Sequence, residues 1–342
     1  MTRRSDRMKT WLAGMLAAAA GAGAAVALYA RFIERKQIRL DRFTVRVDKP
    51  GLPPGGLTIL HLSDLHCRAT DPVQTRKLAR LERLLAGEQY DLLAVTGDLI
   101  TDAAGLEAGL AFLAMLRPRL GGFFCPGNRD YWESGFRALF AGDKPGAALL
   151  HWADARAIVQ RLRIYGHKLV RNERTFMRVL RNDLGPICAG LQAIGIRPLI
   201  NAAVHLEGNE LDLWVAGVDD LTGGEPDLAA ALAGVPDAAA LLLLAHNPDA
   251  WLDPLAGRAD LILAGHTHGG QVCLPLIGAL YVQGTHLSRR RPAGWFARGD
   301  TRLFVTRGVG ESFPWRLGAL PQAALIRVVN APGAGVEALA GD

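Results

Sequence analysis

The apolar run Leu57-Thr58-Ile59-Leu60-His61-Leu62 breaks off into Ser63-Asp64-Leu65-His66. A short apolar run bounded by polar residues fits a strand buried on both faces. Behind it, Leu78, Leu81, Leu84 and Leu85 recur at helical spacing. The pattern then repeats. Asp91-Leu92-Leu93-Ala94-Val95 ends in Thr96-Gly97-Asp98 and is followed by Leu106, Leu110, Leu113 and Leu116 at helical spacing. Gly122-Phe123-Phe124-Cys125 runs into Pro126-Gly127-Asn128-Arg129-Asp130, Leu241 to Leu244 into Ala245-His246-Asn247-Pro248, and Leu261 to Ala264 into Gly265-His266-Thr267-His268-Gly269-Gly270. Strands alternating with helices predict an α/β fold with a largely parallel sheet.

Open α/β sheets bind ligands beyond the carboxyl ends of their strands. Here five such ends deliver Asp64, His66, Asp98, Asn128, His246, His266 and His268. A lone Asp after a strand is ordinarily a helix cap, and a lone His packs in a core or loop. Five ends carrying one ligand chemistry point instead to a metal centre. Carboxylate, amide and imidazole donors suit manganese, iron or zinc and not the thiolate-seeking metals. Seven donors exceed one tetrahedral ion and match two divalent ions sharing a carboxylate. Such a pair, about 3.5–4 Å apart, supports in-line displacement at phosphorus. Hydrolysis of a phosphoester or phosphoanhydride is the expected chemistry.

Asp64-Leu65-His66, Gly97-Asp98, Gly127-Asn128, His246 and Gly265-His266-Thr267-His268 resemble, in order and spacing, the five blocks of the calcineurin-like metallophosphoesterases. The similarity covers about residues 55–330 and includes Gly217-Val218-Asp219-Asp220 and Gly308-Val309-Gly310-Glu311-Ser312. It implies a four-layer sandwich of two mixed β-sheets flanked by helices. It also implies that Asp64, His66 and His268 bind one ion, that Asp98 bridges, and that Asn128, His246 and His266 bind the other, with Mn²⁺ the expected metal and Fe or Zn as alternatives. Gly269-Gly270-Gln271 and the apolar N-terminus resemble a membrane-associated bacterial subgroup.

One block departs from the common family pattern. Most members have His after the Asn, a residue thought to protonate the leaving group; this chain has Arg129. Gly-Asn-Arg-Asp is similar to the UDP-2,3-diacylglucosamine pyrophosphatases of lipid A synthesis. Arg stays protonated in proteins, so it stabilises charge through its donors but cannot act as a general acid. A leaving group that departs without a proton is therefore favoured, such as a phosphate monoester with a second pKa of about 6. The expected catalytic set is Asp98, Asn128, Arg129 and His246, and the expected reaction yields UMP and a lipid sugar 1-phosphate. A broader phosphodiesterase or phosphatase, exported by its N-terminus, is the enzymatic alternative. A non-catalytic scaffold is the remote one, disfavoured because scaffolds of this fold tend to lose ligands.

The chain has 342 residues and a net charge of +6. Residues 1–46 hold ten Lys or Arg against three Asp or Glu, a local +7, which leaves −1 for the remainder. A nucleic-acid partner is therefore not expected. Within that arm, Trp11 to Ala30 carries no charge, and basic residues bracket it. About twenty apolar residues suffice to cross a bilayer as a helix. An uncleaved anchor is preferred to a cleaved export signal, because an ordinary signal core is about 7–15 residues and a basic arm follows here. Residues 31–46 carry six Lys or Arg against four before the span, so the arm and the domain behind it are expected on the cytoplasmic side of the inner membrane.

The expected division is a basic arm and transmembrane helix over 1–46, a catalytic domain over 47–332 and a tail over 333–342, with a helical insertion at about 133–194. Residues 154–181 carry eight Lys or Arg against two acids, with apolar residues interleaved. Two readings stand for them: a solvated face, or a lid binding acyl chains and anionic headgroups. Under the second, Lys168 and Arg171 join Arg129 as substrate contacts, and the partner is a phosphate-containing lipid in a membrane. Cys67, Cys125, Cys188 and Cys273 are too scattered for a zinc ribbon or redox pair. No Walker loop, nucleophile elbow or dinucleotide fingerprint is present.

Overall fold

Four of the apolar runs become strands with almost no exposed position: β2 (Leu57–Leu62), β3 (Leu92–Thr96), β10 (Ala240–Leu244) and β11 (Leu261–Ala264). Continuous burial follows from covering both faces of a parallel sheet. The computed structural model describes residues 2–134, 156, 159–160, 162–163, 178–208, 210–282, 284–333 and 335–339.

The first sheet has seven strands. Its centre is β2, β3 and β4 (Gly121–Cys125), which run parallel and continue into β7 (Ile196–Pro198). On the other side of β2 lie β16 (Gln322–Asn330), β1 (Arg39–Val47) and β17 (Gly335–Leu339). The second sheet has six strands, in the order β14 (Gly294–Arg298), β15 (Thr301–Val305), β11, β10, β9 (Leu211–Gly217), β8 (Ala202–Gly208). Strands β9, β10, β11 and β15 are parallel, and β8 and β14 close the edges antiparallel. Both sheets are mixed, and β5 (Trp132–Ser134) pairs antiparallel with β6 (Arg178–Arg181) apart from them.

Ile59, Phe123, Val215, Leu242 and Phe304 fill the space between the two sheets. Outside the first sheet pack helices α2 (Pro72–Leu85) and α3 (Leu106–Leu113), through Leu78, Leu81, Phe112 and Leu113. Outside the second, Leu228 and Ala231 of a short helical turn join Leu243 and Ile262. The result is the expected four layers: helices, sheet, sheet, helices. Helix α2 begins where the chain places Asp71 before Pro72; the Asp71 carboxylate accepts from the backbone N–H of Val73 (3.0 Å) and Gln74 (3.1 Å), satisfying two donors a helix start leaves open.

Several boundaries differ from the sequence expectation. The division at 46/47 falls inside β1, which pairs parallel with β16 along its length. Within the segment assigned to the tail, β17 pairs antiparallel with β1. The helix Leu184–Ala193, placed in the insertion, buries Ile187 and Leu191 in the main core and so belongs to the framework. Helix α3 stops at Leu113, so Leu116 lies past its end, although buried.

Helix α1 (Thr2–Phe32) is, from Trp11 onward, apolar and long enough to cross a membrane by length and composition, and most of that stretch is exposed, although Ala30 near its end is buried. A 3₁₀ turn at Glu34–Lys36 joins it to β1. That junction is fastened by buried charge. Arg35 Nε donates to Glu311 (3.1 Å), Lys77 Nζ donates to the other Glu311 oxygen (2.8 Å), and the backbone N–H of Ala319 donates to Glu34 (3.2 Å). Burial would push the Glu311 carboxyl up, but the Lys77, Arg316 and Arg35 charges prevail and hold it low.

Candidate metal centre

The parallel strands carry every expected donor to the same edge. Asp64 and His66 follow β2, Asp98 follows β3, and Asn128 opens a one-turn helix, Asn128–Tyr131, after β4. His246 follows β10, and His266 and His268 follow β11. Asp64, His66, Asp98, His266 and His268 all adopt positive φ, between 50° and 69°. Such left-handed backbone costs a non-glycine residue on the order of 1–3 kcal/mol and persists only where the surroundings over-determine it. Two glycines make room. A Cβ on Gly97 would come within 2.7 Å of His246 Nδ1, and one on Gly265 would collide with Ser63 and Asp64.

The side chains form two groups that meet at Asp98. In the first, His66 Nε2 and His268 Nε2 lie 3.0 Å apart, with Asp64 Oδ1 at 3.4 Å from His268 and Asp98 Oδ2 at 3.5 Å from His66. One ligand atom from each of Asp64, His66, Asp98 and His268 falls within 4.8 Å of the others, and all four residues are buried. In the second, His266 Nδ1 is 2.9 Å from Asn128 Oδ1 and 3.2 Å from His246 Nε2, while His246 Nε2 is 3.4 Å from Asp98 Oδ1. The two oxygens of Asp98 thus face different groups.

Metal ions fit this donor set. Asp64 Oδ1, which faces the first group at 3.4 Å from His268 Nε2, is a buried polar atom without a hydrogen-bond partner, a costly condition unless another ligand satisfies it. Burial, with neighbouring positive charge, holds His66 and His268 well below the usual imidazole range and lowers His266 to about 4. Neutral imidazoles offer the lone pairs that cations require. Burial, reinforced by Asp64, pushes the Asp98 carboxyl up against the pull of His246. Cations would relieve that repulsion.

The motifs contain Asp130 and the Gly308–Ser312 block but do not show what they support. Asp130, fully buried, accepts from the backbone N–H of Asp98 (2.9 Å), Leu99 (2.9 Å) and Gly127 (2.8 Å), tying the β3 loop to the β4 loop. His246 Nδ1 lies 2.8 Å from the Thr96 carbonyl and donates to it, which turns Nε2 towards Asp98. The Gly308–Ser312 block backs the first group: Gly310 N–H donates to the Asp64 carbonyl (2.6 Å), and Ser312 Oγ lies 2.9 Å from His268 Nε2. Arg316 is fully buried and donates to the carbonyls of His268 (3.0 Å), Arg307 (2.9 Å), Ala319 (3.1 Å) and Gly310. Only its proximity in space, not its position in the sequence, marks it as part of the site.

Arg129 donates its backbone N–H to Asp98 Oδ1 (2.7 Å), and its guanidinium charge is among those lowering His66. Lys168 and Arg171 lie outside the described residues.

A buried Asp/His cluster at the strand ends of two packed mixed sheets defines a metal-dependent hydrolase. Residues 57–270 match the model of the calcineurin-like phosphoesterases, and the chain belongs to that family. It is 29% identical over 309 residues to a transmembrane protein with metallophosphoesterase domain from Bos taurus, covering 84% of this chain but only 57% of that protein. It is 34% identical over 140 residues to phosphodiesterase YaeI of Escherichia coli, 41% of this chain and 50% of the relative. It is 24% identical over 315 residues to UDP-2,3-diacylglucosamine pyrophosphatase LpxG of Chlamydia trachomatis, 89% of this chain and 93% of the relative.

Proposed function

We propose that this metallophosphoesterase is held in the inner membrane by α1, with its catalytic domain in the cytoplasm, and that it cleaves the pyrophosphate of UDP-2,3-diacylglucosamine to UMP and lipid sugar 1-phosphate. The observation carrying this reading is a guanidinium, Arg129, attached to the backbone that hydrogen-bonds Asp98. The similarity to LpxG over most of both chains supports the same substrate.

Asp64, His66 and His268 would hold one divalent cation, Asn128, His246 and His266 the other, and Asp98 both; Mn²⁺ is the proposed metal. Bound there, the ions supply Lewis-acid polarisation of phosphoryl oxygens and a nucleophile at neutral pH. The chain's own residues do the rest. Arg129 stabilises negative charge developing on the attacked phosphoryl group through its donors. Because it gives up no proton, the departing group must be a stable anion, and a phosphate monoester is one. Asn128 and His246 orient the donors around the reacting phosphorus. Lys168 and Arg171 are proposed as headgroup contacts on sequence grounds.

The test is an assay of the purified full chain with Mn²⁺ on UDP-2,3-diacylglucosamine and on an aryl phosphodiester side by side. Release of UMP at the higher kcat/KM is expected. Hydrolysis of the diester with the pyrophosphate untouched would overturn the substrate and favour the second reading, a broader phosphodiesterase, which the similarity to YaeI supports.

A further inference from the structure

Three segments remote in sequence meet beside the metal centre and turn apolar side chains outward. The first is the hairpin that follows His268: β12 (Cys273–Leu274) pairs with β13 (Gly278–Ala279) around a tip at 275–277. Leu276 at that tip is 97% exposed and has φ of 67°. Ile277, Leu280 and Tyr281 are exposed beside it. The second is the loop carrying exposed Phe313 and Trp315. The third is the end of α1, with exposed Phe32 and Ile33.

Backbone hydrogen bonds join the three. Cys273 N–H donates to the Leu317 carbonyl (2.7 Å), and Leu317 N–H donates to the Gln271 carbonyl (2.8 Å). Arg316 N–H donates to the Ala30 carbonyl of α1 (3.2 Å). The hairpin is also tied to the site, since Cys273 Sγ donates to the Gly269 carbonyl (3.0 Å).

The charge around this surface is of one sign. Residues 271–291 contain Arg289, Arg290 and Arg291 and no carboxylate, and 312–317 contain none either. All three arginines are exposed, and Arg289 also donates to the carbonyls of Ala279 and Leu280 at the base of the hairpin. A bulky aliphatic tip, two aromatic rings and an arginine collar form the composition that settles at a membrane interface. Exposed to water, such a cluster is a liability; continuous with α1, it has an occupant at hand.

We propose that the 273–281 hairpin and the 313–315 loop form a second membrane contact, seating the metal centre against the anionic bilayer surface that carries α1. The contact rests on α1 being a membrane segment; it does not depend on which lipid is hydrolysed. It would bring the donors that follow β11 to the headgroup layer.

The test uses the full chain in nanodiscs of phosphatidylethanolamine and phosphatidylglycerol. Leu276→Cys, in a background with Cys188→Ser and Cys273→Ser, carries an environment-sensitive nitrobenzoxadiazole label. In discs with brominated acyl chains the label should lose at least half of its emission relative to ordinary discs. Undimmed emission from a chain that has entered the discs overturns the contact and leaves the anchor standing. A chain that never enters the discs sinks the anchor reading and the contact with it. Blue-shifted emission that ignores bromine and grows with chain number per disc assigns the surface to a second copy, which also overturns the proposal.

Discussion

Asp98 faces His66 with one carboxylate oxygen, at 3.5 Å, and His246 with the other, at 3.4 Å. No other side chain among the described donors spans both groups in this way. Replacing Asp98 by Asn keeps the volume and removes the shared charge. If each ion contributes several kcal/mol to the reaction, phosphoester hydrolysis should fall on the order of 10³-fold. Metal analysis of the folded variant should show fewer than two ions per chain. Two ions with wild-type turnover would contradict the bridging role.

In the proposed mechanism Arg129 sets the leaving group. Arg129→Ala should cost pyrophosphate cleavage about 10²–10³-fold, the usual effect of removing one charge-stabilising donor. Arg129→His puts a group with an ordinary pKa of about 6.5 beside the reacting phosphorus. That variant should gain activity on alkyl phosphodiesters and lose it as pH rises through the imidazole pKa, an alkaline limb absent from the wild type. Steady-state pH profiles on both substrates decide it.

Asp130 is a positioning residue. Asp130→Ala strips the acceptor from four buried N–H groups, those of Asp98, Leu99, Ile100 and Gly127, each costing about 1–3 kcal/mol when left unpaired. Thermal unfolding should occur several degrees lower. Metal affinity should weaken about 10–100-fold, the typical penalty for losing support behind ligands. Asp130→Asn should recover only part, because its amide keeps one acceptor oxygen.

Arg316 places a full charge in the core, with both terminal nitrogens on main-chain carbonyls and Nε unpartnered. Arg316→Met should weaken metal binding at the His268 side, since the His268 carbonyl loses its donor. Titration with Mn²⁺ followed by metal analysis should show one affinity falling more than the other. Equal loss at both would assign Arg316 to stability alone.

Lys77 gives the fold a pH signature. Burial lowers its amine from 10.5 to about 8, against the pull of Glu311. Between these values the unfolded chain binds the proton and the folded one does not, so stability rises with pH across that window. The burden at neutral pH is on the order of 3 kcal/mol, at about 1.4 kcal/mol per unit. Lys77→Met should flatten the rise between pH 8 and 10 in denaturant titrations.

The donors were legible because chemistry at strand ends repeats: each apolar run stops and a ligand type follows, and the sheet brings the stops together. Asp130 and Arg316 were not, because their meaning lies in backbone groups that no residue type announces. Strand β1 was hidden for a different reason. Arg39, Asp41, Arg42 and Arg46 read as a solvated basic arm, yet an edge-proximal strand tolerates partly exposed charge while Leu40, Val45 and Val47 are buried. The buried Arg35–Glu311 pair was equally invisible, since its partners stand 276 positions apart. Single charges in a sequence look exposed until a distant partner is found.

Between the last residue of α1, Phe32, and the first of β1, Arg39, the chain has only a short turn whose charges are locked into the domain. There is no slack in that tether. A catalytic head on a long leash could sweep a wide radius and meet cargo dissolved in the surrounding fluid. With α1 as the anchor proposed above, this one would travel laterally with its helix at a fixed height and would act on molecules that come to that plane.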